Sequence, residues 1–354
     1  MKKLLTKLRK SPSNQPPERI TNDTVSEHRR RVLEGGRKFK YPLQYSKHKL
    51  VINTVIISIL ALVVVGIFGW WQLYPQQNTG AFTYRVTSAI PLPVAKVGDS
   101  YVRYSDYLMK FRSAEHYLQQ KEQSVLSGED SQRQRDYLKR QSLRDVIADT
   151  YAVSLAEKND VTVSDEELEN FLASQRRIDG GEITERTHYA VIQDYYNWSP
   201  SEYGHVMKIK LLREKVAYAV DDSARELTKQ VGSLLAAADQ KESWKKVIEK
   251  QLESDQSSKV TAGVSGMVPK TNQDGGLAAA AANLKRGEVA GPIKSSVEDG
   301  YHYAFVKLID SNSTQVNYEF VTIAVTELSS QIEKLYKDGA IQVFIGVPLE
   351  EKES

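Results

Sequence analysis

The chain has 354 residues, 40% of them hydrophobic and 26% charged, enough for two domains with extras and for a real core. It contains no cysteine, which excludes disulfides, thiolate catalysis, zinc ribbons and iron–sulfur clusters. The net charge of +3 hides an asymmetry: residues 1–49 hold 14 Lys+Arg against 4 Asp+Glu, a balance of +10 that leaves −7 for the rest.

Residues 1–49 carry Ser11, Pro12, Ser13, Pro16 and Pro17, then "EHRRR". This reads as a mostly disordered basic arm, drawn to anionic lipid. No aromatic or folded platform accompanies the charge, so nucleic acid is not an expected partner. "LVINTVIISILALVVVGIFGWWQLY" follows, from Leu50 to Tyr74, without one charged side chain. About 20 apolar helical residues cross a bilayer, and Trp70, Trp71 and Tyr74 close the segment as an interfacial belt. Lys47 and Lys49 precede it, so the arm is expected in the cytoplasm and everything after Tyr74 outside the cell membrane. A cleaved signal peptide would have a shorter apolar region, a shorter charged region and a small-residue cleavage site.

Residues 75–92, "PQQNTGAFTYRVTSAIPL", lack a stable period and read as a linker. Val94 to Val97 suggest a short strand and Gly98-Asp99 a turn. Ser105 is placed to cap a helix through Leu108, Phe111 and Leu118. After the polar "SGEDSQRQRD", a helix is expected over about 137–158, ended by Asn159. Ser164 in "SDEE", Ser199 in "SPSE" and Ser223 in "SARE" each suggest a capping box. The acidic pairs Asp221-Asp222 and Glu166-Glu167 then read as helix-start charges. Beyond 221 come a helix over 223–238, another with Trp244, Val247, Ile248 and Leu252, the glycine-punctuated "VTAGVSGMVPKTNQDGG", and a short alanine helix. "DGYHYAFVKLID" (299–310) alternates as a strand, with His302, Ala304, Val306 and Leu308 on one face. "VNYEFVTIAV" (316–325) alternates likewise and suggests a hairpin with it.

These residues resemble a known family. "VAKVGDSYVRYSDYL", "LRDVIADTYAVSLAEKNDVTVSDEELENFL" and "SPSEYGHVMKIKLLREKV" are similar to the helical chaperone domain of SurA-, PrsA- and PpiD-type foldases. "LKRGEVAGPIKS" and "DGYHYAFVKLID" resemble the final third of a parvulin domain. The resemblance spans roughly 94–345. It implies an α+β chain with one transmembrane helix, a SurA-like helical chaperone domain and a small parvulin-like antiparallel sheet domain with helices. The boundaries it suggests are an arm (1–49), a transmembrane helix (50–74), a linker (75–92), a helical domain (93–220, completed by 326–347), a divergent parvulin-like domain (221–325) and a tail (348–354).

The parvulin pattern is incomplete. "VAYAVDDS" (216–223) leaves no room for the family's first, histidine-bearing strand, and Leu277 falls where a pocket phenylalanine is usual. "GVSGM" occupies the usual glycine loop, ending at Met267. The strand 316–325 is expected to replace the missing one, setting Thr322 or Phe320 beside His302 according to register.

The resemblance assigns His302 as the catalytic candidate and Met267, Leu277, Tyr303, Phe320 and Thr322 as peptide-binding candidates. Prolyl isomerisation needs no metal, cofactor or covalent intermediate; it lowers a barrier of about 18–20 kcal/mol by favouring a twisted amide. The opposing reading is a structural histidine. His116, His188 and His205 show no metal-ligand spacing, and no nucleotide or nucleophile motif occurs. Expected partners are unfolded or newly secreted polypeptides, the bilayer through residues 50–74, and secretion machinery. The functions left open are a peptidyl-prolyl isomerase with a degenerate site, a non-catalytic ATP-independent holdase, and an envelope scaffold.

Overall fold

The computed structural model describes residues 21–40, 42–120, 129–178, 181–239, 242–252, 256, 258–297 and 300–349. Residues 1–20 of the arm and 350–354 of the tail lie outside the described residues. The chain divides into two units, Met1–Trp71 and Gln72–Ser354.

The first unit corrects the reading of the arm. Helix α1 spans Asn22–Lys40. The Thr24 hydroxyl accepts the Thr21 N–H at 3.0 Å and donates to the Thr21 carbonyl at 2.8 Å, which starts the helix. Arg31–Glu27 at 2.9 Å and Arg30–Glu34 at 3.5 Å are four-residue pairs, each worth about 0.2–0.5 kcal/mol to a helix. Prolines at 12–17 suggested disorder; the helical spacing of the charges after residue 21 is what decides the local state. Helix α2 spans Pro42–Leu73. Within it, Lys49–Leu73 has a mean hydropathy of 2.8 and is exposed along nearly all its length, with Leu73 buried at its end, so it is long and apolar enough to cross a bilayer.

The second unit begins with a correction to the expected linker. Helix α3 (Ala81–Ala89) stands in the middle of 75–92. The Asn78 side chain accepts the Gly80 N–H at 2.8 Å before its first turn, and Thr87 is buried with its hydroxyl donated to the Thr83 carbonyl at 3.0 Å. Strands β1 (Pro93–Val97) and β2 (Ser100–Arg103) form a hairpin at Gly98, whose φ of +55° suits glycine. Helix α4 (Tyr104–Gln120) follows. Helix α5 (Glu129–Lys158) starts earlier than expected; Arg135 reaches back to Glu115 on α4 at 3.2 Å, so part of the polar run is helix surface. Tyr104, Tyr107, Leu108, Phe111, Leu143, Val146 and Ile147 make the core between them.

Helix α6 (Asp165–Gln175) and helix α8 (Pro200–Val220) both carry the expected capping boxes. Between them lie the short strands β3 (Arg177–Ile178) and β4 (Gly181–Glu182) and helix α7 (Glu185–Tyr196). Sequence reading placed no helix at α7, although Thr184 caps it and Asn197, at φ +55°, ends it. Helix α9 (Asp222–Ala237) is capped by Asp221, not by Ser223. The Asp221 carboxylate accepts the Ala224 N–H at 2.8 Å, and Ser223 donates its hydroxyl to that same carboxylate.

Helix α10 (Trp244–Gln251) leads to strands β5 (Val260–Val264) and β6 (Val268–Pro269), in a stretch expected to be loop. Helix α11 (Leu277–Ala282) and strands β7 (Val289–Val297), β8 (Gly300–Ser311) and β9 (Gln315–Val325) complete an antiparallel sheet of order β5-β9-β8-β7, with β6 also on β9. Ser265–Met267 bulge out between β5 and β6, and Tyr318 bonds Ser265 at both its N–H and its carbonyl. Helix α12 (Glu327–Lys337) then carries the chain back, and β10 (Ile341–Val343) pairs with β1, Ala95 opposite Val343.

Helices pack on both faces of the sheet, across one and over part of the other, which is why β8 and β9 alternate two apolar sets. Tyr303, Phe305, Val321, Ile323 and Val325 face helices α8, α9 and α10 with Val216, Leu227, Val231 and Ile248. Ala304, Val306, Leu308, Val316 and Tyr318 face α11.

Candidate functional site

The α11 face of the sheet holds His302. On β7 its opposite residue is Ser295, and on β9 it is Ala324. Thr322 lies opposite Ala304, and Phe320 opposite Val306. The register thus corrects the expected neighbour: neither Thr322 nor Phe320 stands across from His302. Both share its face, but Thr322 is a diagonal neighbour, where backbone separation is about 7–8 Å.

Helix α11 fills the other half of this face. Leu277 is 6% exposed, and Ala278 and Ala281 are fully buried against Ala304, Val306 and Leu308. A proline ring would have to displace this packing. Leu277 is therefore a core residue here rather than the wall of an open pocket. Tyr303 lies on the opposite face, with its ring edge-to-face at 5.1 Å from Tyr218, so it does not join the His302 set. Met267 is exposed at the bulge. Phe320 lies over Gly263, where a Cβ would come within 2.9 Å of the ring; a bare glycine is what lets the phenylalanine lie flat and half-exposed.

A loop seals the β7 side. The Asp274 carboxylate accepts the Tyr318 hydroxyl at 2.5 Å and the Ala278 N–H at 3.1 Å, tying the loop to β9 and to the start of α11. Burial, then the bond to Asp274, pushes the Tyr318 hydroxyl up. Gly275, at φ +72°, lies on Ser295; a Cβ there would stand 2.0 Å from the serine Oγ. From beneath the sheet, the Tyr218 hydroxyl is shared between the Ser295 carbonyl at 2.8 Å and the His302 carbonyl at 3.0 Å. Burial, and next the Glu214 charge, push that hydroxyl up as well.

What remains open is a strip of His302, Ala324, Thr322, Thr261, Gly263 and Phe320. The Thr322 hydroxyl is 3.5 Å from the Thr261 carbonyl. The strip offers one imidazole, one or two hydroxyls and one aromatic face. That suits contact with an extended peptide. A second imidazole is absent among its described residues. Groups of three or more His, Cys, Asp or Glu that could hold a metal are likewise absent among the described residues.

A second surface escaped sequence reading. On α4, α7 and the turn before α8, Tyr196 stacks on Trp198 at 5.0 Å and on Tyr117 at 6.3 Å, while Tyr195 packs at their edge. Tyr195, Tyr196 and Val191 are exposed. The signal was the aromatic run "DYYNW", which carries no helical or strand period of its own.

Residues 44–217 match the family model of the SurA-like N-terminal domain. Neither the curated proteins nor the solved structures contain a match to the chain. Helices α3 to α8 and the β1–β2 hairpin thus make up a SurA-like N-terminal domain, which supports a place for the chain among SurA/PrsA/PpiD-like folding factors.

Proposed function

We propose that this protein is a membrane-anchored, extracytoplasmic folding factor that holds unfolded or newly secreted polypeptides without ATP. The observation that carries the reading is the SurA-like domain over 44–217, with its stacked Tyr117–Tyr196–Trp198 cluster, in which Tyr196 is exposed beside Tyr195 and the other two rings are half-buried. Aromatic faces bind extended chains at low entropic cost, because each ring has few rotatable bonds. The apolar helix Lys49–Leu73 supports a single-pass anchor, and the preceding basic arm supports a cytoplasmic N-terminus.

The sheet unit is a divergent parvulin-like domain in which 315–325 takes the place of the first strand. Its isomerase activity is weak or absent. In support, α11 packs tightly where a proline would enter, and Ala324 rather than a polar group stands across from His302.

The test uses residues 75–354, shown folded by circular dichroism. At a few-fold molar excess this fragment suppresses aggregation of a chemically unfolded client without nucleotide. No suppression by the folded fragment would sink the holdase reading. A robust proline-isomerisation rate would replace it with the enzymatic one.

A further inference from the structure

Helix α1 has two unlike faces. Val25, Val32 and Leu33 stand seven and eight residues apart, the spacing of one helical face, and are 51, 61 and 60% exposed. Arg29 falls four residues from Val25 and from Leu33, inside the same stripe. On the opposite side, Glu27 pairs with Arg31 and Glu34 with Arg30, so the acidic groups are neutralised where the helix is most polar.

The helix is also tethered. One residue separates the end of α1 at Lys40 from the start of α2 at Pro42, and the apolar stretch begins at Lys49. Given the anchor proposed above, α1 cannot leave the vicinity of the bilayer face. Residues 1–49 carry a balance of +10, opposite in sign to an anionic leaflet. The placement of Arg29 separates two occupants of the apolar stripe. A second copy of α1 would bring two Arg29 side chains together in the seam. A headgroup layer instead lets Val25, Val32 and Leu33 sink while the arginine extends to a phosphate.

We propose that α1 is an interfacial helix, lying in the plane of an anionic leaflet with Val25, Val32 and Leu33 immersed and the Glu27–Arg31 and Glu34–Arg30 pairs toward water. It extends the anchor reading and rests on it. Residues 22–40 of the basic arm are then a structured membrane element rather than a diffuse charged tail.

The natural absence of cysteine makes the test direct. Single substitutions Val25→Cys, Val32→Cys, Arg30→Cys, Glu34→Cys and Leu60→Cys are spin-labelled in the full chain. The protein is reconstituted into phosphatidylcholine vesicles with and without phosphatidylglycerol. In the anionic vesicles, labels at 25 and 32 are several-fold more accessible to oxygen than to a water-soluble nickel chelate, and labels at 30 and 34 show the reverse. In pure phosphatidylcholine the contrast falls. Equal water access at 25, 32, 30 and 34 in anionic vesicles overturns the proposal. So does spin–spin broadening at 25 and 32, which marks a second copy. A contrast unchanged in pure phosphatidylcholine overturns the anionic-lipid assignment. The label at 60 keeps the two readings apart: lipid exposure there with a water-exposed α1 defeats the interfacial helix alone, while water exposure at 60 defeats the anchor as well.

Discussion

Asp221 meets Thr326 across 105 positions of sequence: its Oδ2 accepts the Thr326 N–H at 2.9 Å, and the Glu327 N–H at 3.1 Å. Its Oδ1 takes the Ala224 N–H and the Ser223 hydroxyl, each at 2.8 Å. One carboxylate, 1% exposed, thus starts two helices. Removing it with Asp221→Ala loses a cap, about 0.5–2 kcal/mol, and strands buried N–H groups at about 1–3 kcal/mol. The expected loss is about 3 kcal/mol in urea unfolding of the 75–354 fragment. A loss within error of zero would show that water or a shifted backbone takes over these N–H groups.

The same carboxylate makes stability depend on pH. Burial pushes Asp221 up, but hydrogen bonds from Ala224, Ser223, Glu327 and Thr326 outweigh it and hold the group below its ordinary value of 3.8. The folded state then binds this proton less readily than the unfolded state. The contribution is complete well above pH 3.8 and is lost as pH falls through the lower folded value. Asp221→Asn, which cannot ionise, should trail wild type at neutral pH and approach it in acid. A stability gap that stays constant from pH 7 to pH 2 would contradict this assignment.

Lys307 and Glu319 face each other on β8 and β9 at 2.6 Å, both largely buried. Glu319 also accepts the Trp244 N–H at 2.7 Å, and the Lys307 ammonium lies 4.8 Å from the centroid of the Trp244 ring. Losing one partner leaves a buried charge, at a cost of about 3–5 kcal/mol. Lys307→Met and Glu319→Gln are each expected to destabilise strongly, and the double variant by clearly less than their sum. Simple additivity in urea unfolding would mean that the two charges are not coupled.

His302→Ala distinguishes structure from chemistry. The expected result is a small drop in melting temperature with no isomerase rate to lose. A measurable wild-type rate abolished at unchanged melting temperature would restore a catalytic role.

Tyr195→Ala with Tyr196→Ala removes exposed aromatic surface and little core. We expect several-fold weaker suppression of client aggregation with a melting temperature within a few degrees of wild type. Full suppression by this variant would place client contact elsewhere.

Local signals survived into the structure where a few neighbouring residues decide the outcome. Ser164 and Ser199 cap as the "SDEE" and "SPSE" patterns indicate, and 300–325 forms the expected hairpin because both strands alternate cleanly. At Ser223 the same pattern misled, because Asp221 also serves Thr326, a partner invisible at short range. Helix α3 was hidden by its shortness and its β-branched and aromatic residues of low helix propensity, and α7 by a buried stripe as narrow as His188 and Ile192. Strands β5 and β6 were hidden by glycines that exist for long-range reasons: Gly263 admits Phe320. At the candidate site the face of His302 was legible from alternation. Its neighbour was not, since the choice among Phe320, Thr322 and Ala324 depends on a hairpin register that no local residue sets.

The pairing of Ala95 with Val343 has a consequence for biogenesis. Strand β1 emerges early, but its outer hydrogen-bonding edge is filled only by residues near the end of the chain. About 250 residues must be made in between, roughly 12–50 s at 5–20 residues per second. Throughout that interval the nascent chain carries an open strand edge, the kind of surface that other extended chains add to. Until its last strand arrives, this protein is itself the kind of polypeptide it is proposed to protect.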